Sequence, residues 1–391
     1  MIEYTGKYTT AKIMTDFVDD ATGRQINKML RSPAMTNQIV IMPDTHMGKG
    51  SVIGFTMGLT DKVIPNVIGV DINCGLLSAK IKGELSDDSP EDVDKIVRSV
   101  IPVGFSRRET PALQRLESNI EDLAKLVGVD RDTLYNSIGT LGGGNHFIEF
   151  GLDDDGGEWV TIHTGSRYFG LRVATYYQEK AVRLSQDFRD KIAELKKSFS
   201  GKKLGEKISQ LKKSSSIESE MEYLEGKDLD EYIEAMSLAA IYANINRITI
   251  LNNIGKALGV EFEKTIHCEH NIIGRDDLII RKGAVPAYEG QKIILPFNRT
   301  EGIWILEGKG NPEWNYSAPH GAGRVMSRAK AKELILPVDA KEEIKAAGVY
   351  SSHDPVDESN QAYKDPKLIQ SLIEPTAKYL FSIKPYLNIK G

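Results

Sequence analysis

Two residues in one short turn could bind a divalent transition metal. Asp71 and Cys74 follow the apolar run 63–68, which predicts a buried strand that leads into a turn. A carboxylate and a thiolate that converge at a strand end form a donor pair suited to such an ion. The competing interpretation is a tight turn with a buried free cysteine that acts as a small hydrophobic residue. This stretch alone favours the second interpretation.

Histidines in polar, glycine-rich segments shift the balance towards a metal site. Six of the 7 histidines lie in such segments. The segments are PDTHMGKG with Asp44 and His46, GGGNHFIE with Asn145 and His146, HTGSR with His163 and Arg167, HCEHN with His267 and His270, and HGAGR with His320 and Arg324. This set predicts a two-metal site, or a metal beside a nucleophile. Phosphate chemistry fits best, because the glycine-rich backbone, Arg167, Arg324 and Lys390 could hold oxyanions.

Strand ends are expected to bring these residues together. Apolar runs predict strands at 39–42, 52–59, 76–81 and 159–162, with polar turns after several of them. Helices are predicted within 90–136 and over most of 170–260. Asn246 and Arg247, on the otherwise apolar helix 229–251, predict that this helix lines the cleft. The tail is expected to form a helix and then a short strand that includes Lys390.

Composition excludes several classes of protein. The chain has 391 residues, 40% of them hydrophobic, which is enough for a large core. A net charge of −5 gives no general basic field, so any contact with nucleic acid must be local. Two distant cysteines, no apolar leader in residues 1–8 and no long apolar run predict a cytoplasmic protein without a membrane span. We expect one catalytic domain over 1–391, with a charged helical insertion at about 170–240.

Two common motifs of nucleotide transfer are absent from the sequence. There is no Gly-x-x-x-x-Gly-Lys-[Ser/Thr] P-loop and no Lys-x-Asp-Gly motif of lysine-based nucleotidyl transferases. If a nucleotide is activated here, another nucleophile must accept the phosphoryl group. A neutral imidazole can do so.

The motifs together resemble those of a known family. PDTHMGKG, GVDINCG, GGGNHFIE, HTGSR, YANINR, HCEHN, KGNPE, HGAGR and the terminal KG extend over almost the whole chain and resemble the RtcB family of tRNA-splicing RNA ligases. This resemblance implies an α+β fold with mixed sheets and helices around a deep metal-containing cleft. It implies a GTP- and manganese-dependent ligase that joins RNA 3′-phosphate or 2′,3′-cyclic phosphate ends to 5′-hydroxyl ends. The implied route is a guanylated histidine and an RNA-3′-pp-G intermediate, and an activator of the archease type is an implied partner.

The resemblance also implies a role for individual residues. Two manganese ions would be bound, with Cys74 as the bridge, by Asp71, Cys74, His146, His163 and His270. His320 would be the nucleophile that carries GMP, and Asp44 matches an acid needed for the chemistry. The guanylate would be contacted by Asn145, Glu149, Gly321, Gly323, Tyr363 and Lys390. Arg167 would contact the RNA phosphate, and Arg324 is a second candidate for binding the substrate.

The chain departs from the family pattern near its nucleotide motifs. Pro319 stands where serine is usual, Tyr168 stands where glycine is usual, and the segment 296–302 (PFNRTEG) replaces a Gly-Ser-rich turn. These departures indicate a divergent branch of the family. Guanine specificity and the choice between tRNA splicing and RNA repair therefore stay open.

Two other classes of function also stay open. The first is a two-metal phosphoesterase, since Asp44-x-His46, Gly144-Asn145-His146 and the pair His353-Asp354 resemble parts of phosphohydrolase sites. The Gly-Asp pair and the late Gly-His-x-His of metallophosphatases are absent, however. The second is an inactive relative that binds RNA ends. Three histidines are left without a role, namely His46, His267 and His353, and Cys268 is expected to be a buried structural thiol.

Overall fold

The computed structural model describes residues 1–83, 85, 88–218, 221–353 and 356–391, and for 212–218 it describes the backbone alone. The described strands are β1 (Ile2–Thr5), β2 (Thr10–Ile13), β3 (Ile39–His46), β4 (Ile53–Gly58), β5 (Lys62–Val63), β6 (Gly75–Ile81), β7 (Phe147–Asp153), β8 (Glu158–Thr164), β9 (Leu224–Glu225), β10 (Phe262–Glu269), β11 (Asn271–Ile273), β12 (Ile279–Lys282), β13 (Ala284–Pro286), β14 (Lys292–Pro296), β15 (Ile303–Gly308), β16 (Ser317–Pro319) and β17 (Ala377–Lys390). The described helices are α1 (Asp20–Met29), α2 (Pro65–Ile68), α3 (Pro90–Val100), α4 (Ser118–Leu126), α5 (Arg131–Asn136), α6 (Arg167–Leu184), α7 (Gln186–Ser198), α8 (Gly201–Glu218), α9 (Lys227–Leu258), α10 (Arg328–Leu334), α11 (Pro337–Ala346) and α12 (Pro366–Ile373). The predicted α+β class is confirmed.

Two large sheets carry most of the chemistry-bearing segments. One has 6 strands in the order β1-β2-β3-β4-β12-β11, and the other has 7 in the order β10-β6-β8-β7-β17-β15-β14. The pairs of the seven-stranded sheet are all antiparallel, whereas β2 and β3 of the other sheet are parallel. His270 lies between β10 of one sheet and β11 of the other, so the connection between the sheets passes through a candidate metal ligand.

The register of the seven-stranded sheet places several candidate residues at one end of it. His163 on β8 lies opposite Leu76 on β6 and opposite Phe147 on β7. Lys390 at the end of β17 lies opposite Phe147 as well. Because Cys74 and His146 immediately precede β6 and β7, this register brings both of them next to His163. Cross-strand neighbours in an antiparallel pair lie about 5 Å apart, which is within reach of a shared ion.

Two predicted elements differ from the structure. The run 63–68 is not one strand, because only Val63 belongs to β5 and Pro65 then begins the one-turn helix α2. Proline is favoured at the first helical position, where its missing N–H costs nothing. The C-terminal strand is not short either: β17 has 14 residues and pairs with both β7 and β15. A register shift between Pro385 and Leu387 lets the strand continue past a proline that donates no ladder hydrogen bond.

The long helix α9 supports the site from the side away from the cavity. Its buried residues include Tyr242, Asn246 and Arg247, and it packs against α6, α3 and β8. Among the described residues, no helix combines the length and the apolar character that a membrane crossing requires. Helices α7 and α8 pack against each other and against α6, and the only buried side chain of α7 is Phe188.

Candidate metal and nucleotide site

Four chain segments converge on the thiol of Cys74. Its Sγ lies 3.2 Å from Nε2 of His163 and 3.5 Å from Nε2 of His146. Nε2 of His146 lies 2.9 Å from Oδ2 of Asp71. Potential ligand atoms fall into two groups that share Cys74: one with His163 and His270, the other with Asp71 and His146, and within each group these atoms lie within 4.8 Å of one another.

Hydrogen bonds to the backbone orient the two histidines towards this thiol. Nδ1 of His146 lies 3.1 Å from the carbonyl oxygen of Leu141, and Nδ1 of His163 lies 3.1 Å from that of Asn145. A proton on each Nδ1 satisfies these carbonyls and leaves Nε2 with a free lone pair. Backbone carbonyls orient metal-binding histidines in the same way in known metal sites.

The donor set fits a transition metal rather than a purely structural cluster. His270 is 2% exposed, and its Nδ1 has no hydrogen-bond partner among the described residues. A buried imidazole nitrogen without a partner is costly unless a ligand completes it. Imidazole, thiolate and carboxylate together suit divalent ions of the first transition series. The residues present therefore fit two neighbouring cations with a shared sulfur ligand.

The pKa shifts of the residues around Cys74 also indicate that bound cations would stabilise this cluster. Burial, followed by the negative charge of Asp71, raises the pKa of the Cys74 thiol well above its usual value. Burial opposes ionisation of Asp71, but the hydrogen bond and charge of His146 and the charge of Arg167 lower the pKa of Asp71 to about 2. Burial also lowers the pKa values of His163 and His270, so both imidazoles stay neutral and able to bind a cation.

Polar residues of α9 form hydrogen bonds to the backbone next to the candidate metal ligands. Nη1 of Arg247 donates to the carbonyl oxygens of Asn73 (2.8 Å) and Thr164 (2.9 Å), which adjoin Cys74 and His163. Oδ1 of Asn246 accepts from the backbone N–H of Gly139 at 2.8 Å. Both side chains are 0% exposed, so the prediction that they line the cleft is wrong. They fix the backbone that carries the ligands.

His320 is paired with a buried carboxylate beside the cluster. Its Nδ1 lies 2.8 Å from Oδ2 of Asp44, which is 0% exposed, and its ring centroid lies 4.8 Å from that of His270. This contact leaves Nε2 of His320 as the nitrogen with a free lone pair. Gly323 has φ +74°, and a Cβ there would collide with the backbone of Asp44, so only glycine allows this approach.

A cavity of about 220 Å³ opens beside His320. Its lining includes all six residues predicted to contact the nucleotide, namely Asn145, Glu149, Gly321, Gly323, Tyr363 and Lys390, together with Arg324, the second candidate for binding the substrate. His46 also lines it, with Nδ1 placed 3.0 Å from the carbonyl oxygen of Asp44. The sequence motifs scattered over the chain therefore meet in one enclosed space.

Charged residues outside the sequence motifs complete this cavity. Glu358 binds Nζ of Lys390 at 3.0 Å, Nη2 of Arg328 at 2.5 Å and the hydroxyl of Tyr363 at 2.5 Å. Burial would raise the pKa of Glu358, but the charges of Lys390 and Arg328 lower it to about 2. Sequence reasoning missed Glu358, because a single Glu in a polar segment carries no motif.

Two further titratable groups of the cavity have pKa values that shift in opposite directions. Burial raises the pKa of Glu149 to about 8, against the opposing hydrogen bond from Asn388 at 2.8 Å. Burial lowers the pKa of Lys390 to about 8, against the opposing charge of Glu358. Shifts of this size at one end of a cavity are typical of a binding or catalytic site.

Arg167 lies on the other side of the metal cluster and does not line the cavity of His320. Its Nη1 is 3.2 Å from Nδ1 of His146, which already faces a carbonyl, so the guanidinium acts there as a nearby charge. Arg167 has φ +57°, and Gly142 (φ +82°) leaves the space that its guanidinium occupies. Gly142 cannot carry a side chain for this reason.

The remaining histidines and the second cysteine have different settings. His267 lies on β10 with an exposed side chain, whereas His270, three residues later, is buried. Asp354 of the His353-Asp354 pair lies outside the described residues. Cys268 is buried on β10, and burial raises the pKa of its thiol to about 12, which fits the predicted structural thiol.

Comparisons with known proteins agree with the motifs. The family model described as "tRNA-splicing ligase RtcB" matches residues 25–128 and 117–391. RNA-splicing ligase RtcB of Escherichia coli (strain K12) is 28% identical over 407 residues, covering 94% of this chain and 93% of that protein. The tRNA-splicing ligases RtcB of Nanoarchaeum equitans and Pyrobaculum aerophilum are each 26% identical. The first comparison covers 98% of this chain and 94% of the relative, and the second covers 92% and 88%.

Proposed function

The chain belongs to the RtcB family, and from this premise we propose that it is a GTP- and manganese-dependent RNA ligase. Its substrates would be an RNA end with a 3′-phosphate or 2′,3′-cyclic phosphate and a second end with a 5′-hydroxyl. The observation that carries the proposal is the pairing of His320 with the buried Asp44 directly beside the cluster around Cys74.

His320 is the proposed nucleophile. The carboxylate of Asp44 accepts a hydrogen bond from the N–H at Nδ1, so the lone pair of Nε2 can attack phosphorus. Asp44 is fully buried and cannot exchange this partner for water, so it keeps the imidazole in one orientation. The same arrangement of carboxylate and imidazole prepares other enzymes for nucleophilic chemistry.

Asp71, Cys74 and His146 would hold one Mn²⁺, and Cys74 would share its thiolate with a second ion held by His163 and His270. Bound there, the ions would supply positive charge that neutralises and orients phosphate oxygens. The chain itself supplies the placement: Arg247 fixes the two carbonyls next to Cys74 and His163, and thereby the distance between their ligand atoms.

The reaction would proceed in three transfers once water has opened any cyclic phosphate. Nε2 of His320 attacks the α-phosphorus of GTP, the bond from that phosphorus to the bridging oxygen breaks, and pyrophosphate leaves. An oxygen of the RNA 3′-phosphate then attacks the same phosphorus, the P–N bond breaks, and RNA-3′-pp-G forms. Finally the 5′-hydroxyl oxygen loses its proton and attacks the RNA 3′-phosphate, and GMP leaves. Enclosure of the reacting groups beside His320 supplies orientation for each transfer.

The cavity would hold the nucleotide through groups at its two ends. Near His320, the backbone of Gly321 and Gly323 lets phosphate oxygens approach closely, and Asn145 and Arg324 offer donors. At the other end, three polar side chains would contact the base or ribose, namely Glu149, Tyr363 and Lys390. Arg324 also stacks over the ring of Tyr363, with Cζ placed 4.8 Å from the centroid.

A basic cleft behind Arg167 would carry the RNA strand. It is lined by the segment 98–103 and 106–110 together with Lys256, and it contains three arginines, namely Arg98, Arg107 and Arg108. The backbone N–H of Gly104 donates to the carbonyl oxygen of Gly142, the residue that adjoins Arg167. Phe105 in this loop is fully exposed. Exposed aromatic rings among cations are typical of surfaces that bind single-stranded RNA.

The decisive experiment is incubation of the protein with α-labelled GTP and Mn²⁺, followed by acid and base treatment. We expect a label that is stable to base, labile to acid, and lost in His320→Ala, because a phosphoramidate has these properties. His267→Ala is the matched control, since this histidine is exposed on β10 and does not line the cavity.

Absence of label from metal-loaded protein would contradict the guanylation step. Steady release of phosphate from RNA ends without GTP would then indicate a phosphoesterase. Binding of RNA ends without turnover would indicate an inactive relative. We further propose a single catalytic domain over 1–391 with a charged helical insertion at about 170–240, a range that contains α7 and α8. We also propose a cytoplasmic location, which is consistent with two free, buried cysteines. Stimulation of labelling by an archease-type protein is the test for the proposed activator.

A further inference from the structure

Arg299 is an unpaired cation inside the cavity of His320. It lies in the turn between β14 and β15, it lines the cavity, and it is 3% exposed. None of its three guanidinium nitrogens has a hydrogen-bond partner among the described residues. The other deeply buried arginines differ, because Arg247 donates to two carbonyls and Arg281 binds Ser317 and Asp277.

A buried guanidinium without partners is costly, so Arg299 requires an acceptor from elsewhere. The carboxylates around it do not fill this role. Glu358 is already bound by Lys390 and Arg328. Glu149 accepts from Asn388, and burial raises its pKa to about 8, so it carries little negative charge near neutral pH. The acceptor that remains is a ligand in the cavity.

The position of Arg299 indicates which part of a nucleotide it would meet. The groups whose charges act most strongly on its guanidinium are Glu358, Tyr363, Asp357 and Glu149, and none of them is a candidate metal ligand. The α-phosphate must lie at Nε2 of His320, since the transfer occurs there. The base of the nucleotide therefore lies at the end of the cavity where Arg299 is found.

The chemistry of that end matches the edge of guanine. A guanidinium fork donates to two neighbouring acceptors, which guanine offers as O6 and N7, whereas adenine offers N7 beside an amino donor. One buried acceptor close by has no donor among the described residues, namely Oδ1 of Asn388. It could accept from an N–H group of the opposite edge of guanine.

We propose that Arg299 is a specificity-determining residue that donates to O6 and N7 of the guanine base. The inference rests on the proposed use of GTP, and it explains the altered turn at 296–302: an arginine reads the base where relatives use a Gly-Ser-rich turn. Pro296 holds this turn against the nucleophile segment, since its carbonyl oxygen accepts from the N–H of Ala322 at 3.2 Å.

The test compares GTP with 7-deaza-GTP, which lacks the N7 acceptor and keeps every other group. Equilibrium binding of each nucleotide is measured first, in manganese-loaded protein that carries His320→Ala so that no transfer occurs, and the rate of His320 labelling is measured second in protein that has this histidine. Protein that has Arg299 should bind GTP roughly 10-fold more tightly than 7-deaza-GTP, as expected for loss of one half of a bidentate pair. Arg299→Ala should bind both nucleotides equally and more weakly, and Arg299→Lys should restore affinity without the discrimination. Arg275→Ala, at an exposed arginine outside the cavity, should behave as wild type.

Two results would overturn the inference. One is equal binding of the two nucleotides by protein that has Arg299. The other is discrimination that persists in a folded Arg299→Ala, and if affinity for both nucleotides falls by the same factor, Arg299 would be assigned to the phosphates. The binding arm needs no transfer, so a protein that discriminates but takes no label disproves the proposed ligase and leaves the base contact standing.

Discussion

Asp44 determines which nitrogen of His320 keeps a free lone pair. A carboxylate with no exposed surface holds Nδ1 at 2.8 Å, so the proton stays on Nδ1 and the lone pair on Nε2. An amide at this position keeps the shape but can present its N–H₂ group to the imidazole, which favours the wrong tautomer. It also removes the negative charge that stabilises a developing imidazolium.

Asp44→Asn is therefore expected to slow labelling of His320 by α-labelled GTP by roughly 10²- to 10⁴-fold. The measurement is the rate of labelling at saturating GTP, with metal content determined in parallel. Because Asp44 lies outside the cluster around Cys74, the variant should retain its metals. An unchanged labelling rate in Asp44→Asn would show that the pairing is structural only.

Glu149 should make stability depend on pH in a defined window. The unfolded chain releases this proton near pH 4.5, whereas the folded protein keeps it until about pH 8. Between these values the folded state binds more protons, so this group's contribution to stability falls as pH rises. Lys390, with a pKa lowered to about 8, and Glu358, with a pKa lowered to about 2, act outside this window.

Glu149→Gln should therefore gain stability relative to wild type as pH rises from about 5 to about 8. A difference of one pH unit within this window corresponds to about 1.4 kcal/mol of stability. In a chain of this size, the Tm of Glu149→Gln relative to wild type should therefore rise by about 2 °C or less per pH unit. The measurement is thermal unfolding of both proteins across the window. Glu342→Gln, at an exposed carboxylate, serves as control, and a parallel course of wild type and Glu149→Gln would contradict the prediction.

At the scale of elements, the loop after α3 connects the arginine-containing surface cleft to the cluster around Cys74. Gly104 is bonded to the backbone of Gly142, which in turn leaves space for Arg167 beside the cluster. The ring of Phe105 is fully exposed, so it buries no apolar surface and does not stabilise the free protein. Stacking against an unpaired base would bury it, and the arginines of the cleft would neutralise the adjoining phosphates.

Phe105→Ala should therefore raise KM for a single-stranded RNA with a 3′-phosphate by roughly 5- to 100-fold, the range for loss of one stacked base. Labelling of His320 with GTP alone should not change, because Phe105 lies outside the nucleotide cavity. The control is Phe17→Ala, at a second exposed phenylalanine that does not line the cleft. Equal effects of the two substitutions on KM would remove Phe105 from the RNA path.

At the scale of the whole molecule, the candidate metal ligands connect parts of the chain that are far apart in sequence. Asp71 and Cys74 precede β6, His146 precedes β7, His163 lies on β8, and His270 joins the two large sheets. Ions bound to this set would cross-link both sheets. Binding to the folded state alone stabilises that state by mass action.

Removal of metal by a chelator should lower Tm by several degrees, and Mn²⁺ should restore it. Elemental analysis should find about two ions in wild type and about one in His146→Ala or His270→Ala, since each loses a ligand of one group. Cys74→Ala should lose both ions, because the thiol belongs to both groups. His267→Ala is the matched control and should keep both. A Cys74→Ala protein with full metal content would refute a shared thiolate.

Particular residues show how far sequence reasoning could go. The settings of Asp71, His146, His163 and His270 are local, polar and rich in glycine, so the sequence indicates these residues, and the structure brings them together around Cys74. Arg247, a polar residue on an apolar helix, predicts a helix that lines the cleft. In the structure its guanidinium instead donates to buried carbonyl oxygens. Arg299, Glu358 and Asn388 were missed, since a single charged or amide residue in a turn or strand has no local signature.

The sequence by itself determined the inventory of this protein: a thiol, carboxylates, imidazoles and glycines in motifs whose chemistry is phosphoryl transfer, on a chain that belongs to the RtcB family. These properties are local, because residue type and spacing set the donor atoms and the turn geometry. The tertiary structure decided which atoms meet. The register of β6, β7, β8 and β17 sets the distances between candidate ligand atoms, and the packing of the turn at 296–302 against Ala322 places the guanidinium of Arg299 in the cavity of His320. Both depend on contacts between residues far apart in sequence, and hydrophobic burial of whole sheets fixes those contacts rather than any single motif.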